Sequence, residues 1–345
     1  MRSPVPLDDD LDAQTEVLPV KTLHNIFYDG FYAPYVRNPD YLLLVDMRAD
    51  EANYRLDHIL TARWHGHVDG LRTAAGAEKD PLRRFWHIIL YDSDGSSLAR
   101  PDSDMRRLCR TLRERKLEPC CLEGGLRAIR DRCPYLLSRR SAAPPVPSED
   151  GFRLLSWFPS IILDGRLFLG RNDQAADPEV LDNLGVSHVI CTNQALTKSR
   201  RRKESAPPDK RILMLAPPSE LEAKFKRKSR GPSCLSRGST DTLDDPAVTS
   251  NLLTDKMAEL TAFVREAFAA GGKVLVHGEQ GVDRSAALVM ALLMQQCSCS
   301  LEDAFYHVKA CRPTVQPSEM MLQALAKLEA EIFGKRLTSI EDLCY

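Results

Sequence analysis

The chain lacks an excess of either charge. Forty-seven Lys and Arg stand against 48 Asp and Glu, a formal net charge of -1 over 345 residues. No global field therefore recruits nucleic acid or a membrane surface, although local basic runs exist. The chain also lacks any apolar run approaching the length of a membrane span. Its 10 cysteines include no CxxC pair of the kind that binds zinc; Cys120 and Cys121 are adjacent, and Cys297 and Cys299 are two apart. Scattered in this way, they read as reduced thiols of an intracellular protein rather than a disulfide framework. No metal and no cofactor is expected. Residues 1–19 carry Asp8, Asp9, Asp10, Asp12 and Glu16 without an apolar core. That fits neither a secretory signal nor an Arg-rich transit peptide, and a disordered acidic tail is expected. The remainder, 28% charged and 43% hydrophobic residues, is ordinary globular composition in a chain long enough for two domains.

One stretch organises the rest. Val274, Leu275 and Val276 read as a buried strand, and His277, Gly278, Glu279, Gln280, Gly281, Val282 and Asp283 follow as a tight loop. Arg284 and Ser285 then open an apolar helix through Met294. A strand feeding a loop at a helix N-terminus makes an anion site, because unpaired N–H groups converge there and the helix dipole adds partial positive charge. Arg284 supplies a fork of donors suited to phosphate. Residues 278–284 are therefore the candidate phosphate-binding set.

The spacing resembles the signature of cysteine-dependent protein phosphatases: His-Cys, five residues, Arg-Ser/Thr. His277, Gly281, Arg284 and Ser285 fall where that signature wants them, but Gly278 holds the cysteine position. In this chemistry a thiolate attacks phosphorus and carries the phosphoryl group. Glycine has no side chain to do so. The substitution also removes a negative charge from the floor of the cradle, so phosphate binding can outlast turnover. Charge-assisted hydrogen bonds are worth about 1.5–3 kcal/mol each, and association itself costs several, so useful affinity needs contacts around the phosphate. A loop kept only for its shape is the alternative.

Residues 151–334 carry further features of the dual-specificity phosphatases. Residues 161–170 read as two short strands about a turn, with Leu167, Phe168, Leu169 and Gly170 resembling that family's Leu-Tyr-Leu-Gly entry; a helix over 175–184 and a strand over 186–191 follow. Ala291 to Met294 resembles Ala-Tyr-Leu-Met, and Arg312, Pro313, Pro317 and Ser318 resemble an Arg-Pro-x-x-x-Pro-Asn turn. Ser318 replaces the asparagine, which leaves the loop less braced. Ser300 with Asp303 predicts a capped helix through Cys311. The general acid that such enzymes use should stand near Pro217, where the sequence reads Ala216, Pro217, Pro218, Ser219 and neither proline can donate a proton. Asp283 reads as a solvent-facing loop charge that, with Glu279, opposes an anion if turned inward. A basic insertion at about 222–250, expected to be disordered, and a second basic run at 198–203 read as solvated loops, with an acidic or RNA partner, nuclear import or phosphorylation as the sharper alternatives.

In the front segment, 20–140, the strand at 41–45 ends in Asp46, Met47 and Arg48; Glu51, Tyr54, His58 and Ile59 follow, with Asp57 before His58. A second strand, 87–91, leads into Asp92. This order resembles the rhodanese-like domains, in which Asp57 would be glycine and Asp92 the sulfur-carrying cysteine. Sulfur transfer is not expected. Such a domain in front of a phosphatase resembles the layout of the MAP-kinase phosphatases, which implies kinase docking through clustered arginines; Arg63, Arg72, Arg83 and Arg84 form no tight triplet, and scattered surface arginines are the alternative. A Pro-rich stretch, 141–150, reads as the linker and 335–345 as a C-terminal tail.

The expected architecture is thus α/β twice over: a rhodanese-like domain, then a dual-specificity-phosphatase-like domain with a central mixed sheet flanked by helices. Two degenerate sites in one chain resemble the serine/threonine/tyrosine-interacting-like pseudophosphatases. That resemblance implies a binding protein rather than an enzyme. It implies protein partners, phosphorylated or not: MAP-kinase pathway proteins, an active and conceivably mitochondrial phosphatase, or a stress-granule scaffold. It also implies a cytoplasmic setting, with mitochondrial association or nuclear entry left open. A scaffold with a vestigial loop and a weak phosphohydrolase using Asp283 or Glu279 as base are the alternatives.

Overall fold

The computed structural model describes residues 17–28, 41–72, 80–139, 158–163, 165–192, 210–215 and 256–343. Most of the acidic tail, the linker 141–150, the loop at Pro217, and both basic runs with the insertion lie outside these residues. The chain divides into two compact units, Met1–Ser156 and Trp157–Tyr345.

The first unit is built on five parallel strands. They are β1 (Val17–Leu18), β2 (Leu42–Asp46), β4 (Arg63–Trp64), β5 (His87–Tyr91) and β6 (Pro119–Leu122), in the order β1-β6-β5-β2-β4. Every residue of β2 is buried, as expected where both faces of a parallel sheet are covered. The helices are α1 (Val20–Tyr28), α2 (Glu51–Leu56), α3 (Asp104–Glu114) and α4 (Gly125–Arg132). A short antiparallel pair, β3 (Asp57–Ile59) with β7 (Leu137–Arg139), lies apart from the main sheet.

The Asp-x-Arg motif closes the carboxyl end of β2 as a buried network. Arg48 pairs with Asp46 through Nε and Nη2, the latter at 2.6 Å, and Tyr91 donates to the same carboxylate at 2.9 Å. Asp57, at the position expected to favour glycine, is held by Arg48 Nη1 at 3.3 Å and by Arg130 Nη2 at 2.6 Å.

The second unit is a mixed sheet in the order β11-β10-β12-β9-β8. Its strands are β8 (Ser160–Leu163), β9 (Leu167–Arg171), β10 (His188–Cys191), β11 (Arg211–Met214) and β12 (Val274–Gly278). Only β8 runs antiparallel to its neighbour. The helix expected over 175–184 is two helices, α5 (Asn172–Ala176) and α6 (Pro178–Leu184). The break has a local cause: Asp177 accepts from the N–H groups of Glu179 and Val180, and Pro178 has no N–H with which to continue α5.

Four more helices follow: α7 (Met257–Ala269), α8 (Arg284–Cys297), α9 (Leu301–Cys311) and α10 (Glu319–Phe333). The ten residues from Ser285 to Met294 of α8 are all buried. A helix apolar on every side must run through a core, and α8 packs against β12, α9 and α10. The capping box of Ser300 and Asp303 starts α9 as the sequence predicts. The tail beyond α10 is tied back by a buried acid. Glu329 accepts from the N–H groups of Leu301, Leu337 and Thr338 and from the Thr338 hydroxyl. Among the described residues no helix is long and apolar enough to cross a membrane.

Candidate functional site

β12 lies at the middle of its sheet, between two parallel neighbours. Open sheets of this kind place ligands outside the carboxyl ends of their strands, and the loop 279–283 leaves β12 there. A cavity of about 160 Å³ opens at that point, lined by Thr192 and by every residue from Gly278 to Ser285. All seven residues of the predicted phosphate-binding set therefore line one cavity, with Ser285 beside them.

The loop's shape follows from what holds its carbonyls. Buried Arg312 donates from Nε to the Gly281 carbonyl and from Nη2 to that of Gln280, each at 3.0 Å, and from Nη1 to Ser160 Oγ at 3.2 Å. The N–H of Gln316 takes the Val282 carbonyl at 2.9 Å. In a trans peptide the N–H points opposite to the C=O, and no peptide bond here is cis. Anchoring these three carbonyls behind the loop turns the N–H groups of Gly281, Val282 and Asp283 the other way. None of the N–H groups from Glu279 to Asp283 donates a hydrogen bond among the described residues. Gly281 makes the turn feasible: its φ is +73°, and a Cβ there would lie 2.5 Å from the Gly170 carbonyl oxygen.

Two expectations need correction. Asp283 is half-exposed, as a loop charge would be, but it is not free: its carboxylate accepts from the Ser318 N–H at 2.8 Å, at the start of α10. Negative charge is favoured at a helix N-terminus, and this contact draws the carboxylate to the helix. Nor is the loop under-braced for want of an asparagine at 318, because Arg312 and the backbone of 316 and 318 supply the bracing. Glu279, by contrast, is exposed.

Arg284 begins α8, lines the cavity, and makes no hydrogen bond or ion pair among the described residues. Its fork of donors is available to a ligand. His277 is fully buried and points away from nucleophilic work: Nδ1 lies 2.9 Å from Asn172 Oδ1, and its carbonyl accepts from Thr192 N–H and Oγ1, each at 3.1 Å. Thr192 and Asn172 carried no local sequence signal. Both enter the site because the parallel register sets Cys191 beside His277 and Gly170 beside the same residue.

Gly278 ends β12 at the floor of the cavity. The space above its Cα is flanked by Thr192 Oγ1 and Ser285 Oγ, which would stand 3.0 and 3.1 Å from an added Cβ. Gly278 itself contributes no thiol or other side chain at that point.

The loop after β5, which holds Asp92, is closed from within. Asp92 is 6% exposed. Its Oδ1 accepts from the N–H groups of Asp94 and Gly95, and its Oδ2 from that of Ser97 at 2.8 Å. The loop after β5 thus spends its N–H groups on a carboxylate belonging to the same loop. Of the four arginines, Arg63 and Arg84 meet over the Phe85 ring, 5.9 and 4.9 Å from its centroid. Arg83 reaches the Arg115 carbonyl, and Arg72 lies beside His65.

Residues 167–331 match the family model of the dual specificity phosphatase catalytic domain. The chain carries a dual-specificity-phosphatase-like domain. Human protein phosphatase Slingshot homolog 3 is 46% identical over 82 residues, 24% of this chain and 12% of that protein. Mouse dual specificity protein phosphatase 2 is 24% identical over 264 residues, 71% of this chain and 70% of that protein. That span is longer than the second unit, so the similarity extends into the first. The solved human tyrosine phosphatase-like serine/threonine/tyrosine-interacting protein is 26% identical, covering 51% of this chain and 97% of that one, with a TM-score of 0.38. The chain spans only 12% to 38% of the length of the Slingshot and dual specificity phosphatase 18 relatives it matches.

Proposed function

We propose that this chain is a catalytically inactive dual-specificity phosphatase that captures a phosphorylated protein segment without hydrolysing it. The observation that carries the reading is Gly278, a residue without a side chain at the floor of a loop whose other parts are in place. Around it stand an arginine and loop N–H groups with no partner among the described residues, and a helix N-terminus, all features that favour a phosphate dianion. Phosphoryl transfer through the signature's cysteine requires a thiolate at this position, and glycine offers none. The first unit fits the same account as a rhodanese-like domain without sulfur chemistry, since Asp92 replaces a cysteine and fills its own loop.

The test is calorimetric titration of the full chain with a phosphotyrosine, a phosphothreonine and an unphosphorylated peptide, beside Arg284→Ala. Phosphate-dependent binding that is lost in the variant, with no release of phosphate from an aryl ester, is the expected result. Turnover of the ester that disappears in Arg284→Ala would favour hydrolysis by water instead, with exposed Glu279 as the carboxylate not already committed to a helix terminus. Partner binding indifferent to Arg284 would make the loop architectural.

A further inference from the structure

Two hydroxyls at the floor of the loop have no part in phosphate capture by N–H groups and Arg284 alone. Ser285 is 2% exposed and lines the cavity, and its hydroxyl makes no hydrogen bond among the described residues. Buried hydroxyls are nearly always paired, and this one faces the cavity, where its partner comes from solvent or a ligand. Its direction is fixed by its place in the first turn of α8, a helix packed on every side. Across the niche, Thr192 Oγ1 donates to the His277 carbonyl at 3.1 Å. The two oxygens converge on the space above the Gly278 Cα, 3.0 and 3.1 Å from where a Cβ would stand. A cysteine at this position would fill that space and take the Ser285 hydroxyl as its own neighbour. With glycine there, the niche is continuous with the cavity, and both residues line it.

We infer that the Gly278 niche is the deep end of the anion site, in which the Ser285 hydroxyl donates directly to an oxygen of a bound phosphate. The inference rests on the phosphate-binding reading above. It converts the lost nucleophile into a gained contact. The group seated there is a tetrahedral phosphate, because Ser285 from below, the loop N–H groups around it and the Arg284 fork at the side address more directions than a planar carboxylate can use. A donor at the floor also replaces the charge that a thiolate would have set against the dianion. Ser285 is thereby a ligand-contacting residue, and the absence of a side chain at 278 is a condition of binding.

The experiment measures binding of inorganic phosphate and of a phosphotyrosine peptide by the full chain and four variants. Ser285→Ala removes the hydroxyl, Ser285→Cys replaces it with a weak donor of nearly the same shape, Gly278→Ala fills the niche with a methyl group, and Arg284→Ala removes the fork. Both Ser285 variants and Gly278→Ala are expected to weaken binding about tenfold, the scale of one hydrogen bond to a charged group, with melting temperatures near that of the parent for Ser285→Cys. The same loss for both ligands identifies the phosphoryl group itself as what is recognised. Loss for a peptide that binds, with inorganic phosphate not binding at all, identifies a phosphate monoester. If Arg284→Ala abolishes binding while Ser285→Cys and Gly278→Ala leave it unchanged, the niche plays no part and the phosphate reading stands without it. If the parent binds neither ligand at millimolar concentration, both fall.

Discussion

Arg312 holds Gly281 from behind the loop, its Nε 3.0 Å from the glycine carbonyl while Nη2 takes the carbonyl of Gln280. The guanidinium is 31 residues away in sequence from the turn it shapes. Because both acceptors are backbone carbonyls, this contact decides which way the loop's N–H groups face.

Arg312→Lys keeps the charge but loses the fork. A single ammonium cannot satisfy two carbonyls and Ser160 in this geometry. Stability should fall by about 2–4 kcal/mol, as when one partner of a buried polar network is removed, and phosphate-dependent binding should fall with it. Urea unfolding and titration of the same sample measure both. An unchanged midpoint together with unchanged affinity would mean that the loop holds its shape unaided.

Asp92→Ala leaves the N–H groups of Asp94, Gly95 and Ser97 without their acceptor. The first unit should lose about 2–3 kcal/mol, seen as an earlier unfolding transition. Asp92→Asn keeps one carbonyl oxygen and should lose less. If Asp92→Ala unfolds at the parent's midpoint, solvent satisfies these groups and the carboxylate is not what orders the loop.

Glu329 gives the stability a defined pH dependence. Burial alone would raise its pKa, but the N–H groups of Leu301, Thr338 and Leu337 and the Thr338 hydroxyl outweigh it, and the carboxyl is held below its usual range. The native state then binds fewer protons than the unfolded one, so stability rises with pH through this interval. The contribution is complete above the unfolded carboxyl's pKa of about 4.3 and disappears as pH falls through the lower native value. Glu329→Gln should cost about 2–3 kcal/mol at neutral pH and flatten the acid limb of the stability curve. A variant with the same acid limb as the parent would assign that limb to other carboxylates.

On the reading proposed above, Gly278→Cys would supply a nucleophile but not the acid. General-acid catalysis contributes about a hundredfold or more, and the sequence at 216–219 offers no carboxylic acid. The added Cβ would also press on Thr192 Oγ1 at 3.0 Å. Turnover of an aryl phosphate should therefore stay at least about a hundredfold below that of an enzyme with both groups. Brisk hydrolysis would show that another residue protonates the leaving oxygen.

The sequence by itself determined what is local. The β12–loop–α8 order, the apolar continuity of α8, the caps at Ser300 and the missing side chain at 278 follow from neighbouring residues. Hydrophobic runs, capping oxygens and the absence of a Cβ act over a few positions of the chain. It also placed the seven residues from Gly278 to Arg284 in one candidate site, since they are consecutive. Only the tertiary structure decided how that loop is held and what stands at its floor. Arg312, Asn172 and Thr192 reach it through strand register and helix packing, across separations that no local pattern encodes. Asp283 shows the limit most plainly. As a loop residue it reads as a solvated charge, yet the start of α10, brought beside it by the fold, supplies the N–H that binds its carboxylate. Where a charged side chain goes is settled by which donors the folded chain brings within hydrogen-bond distance of it.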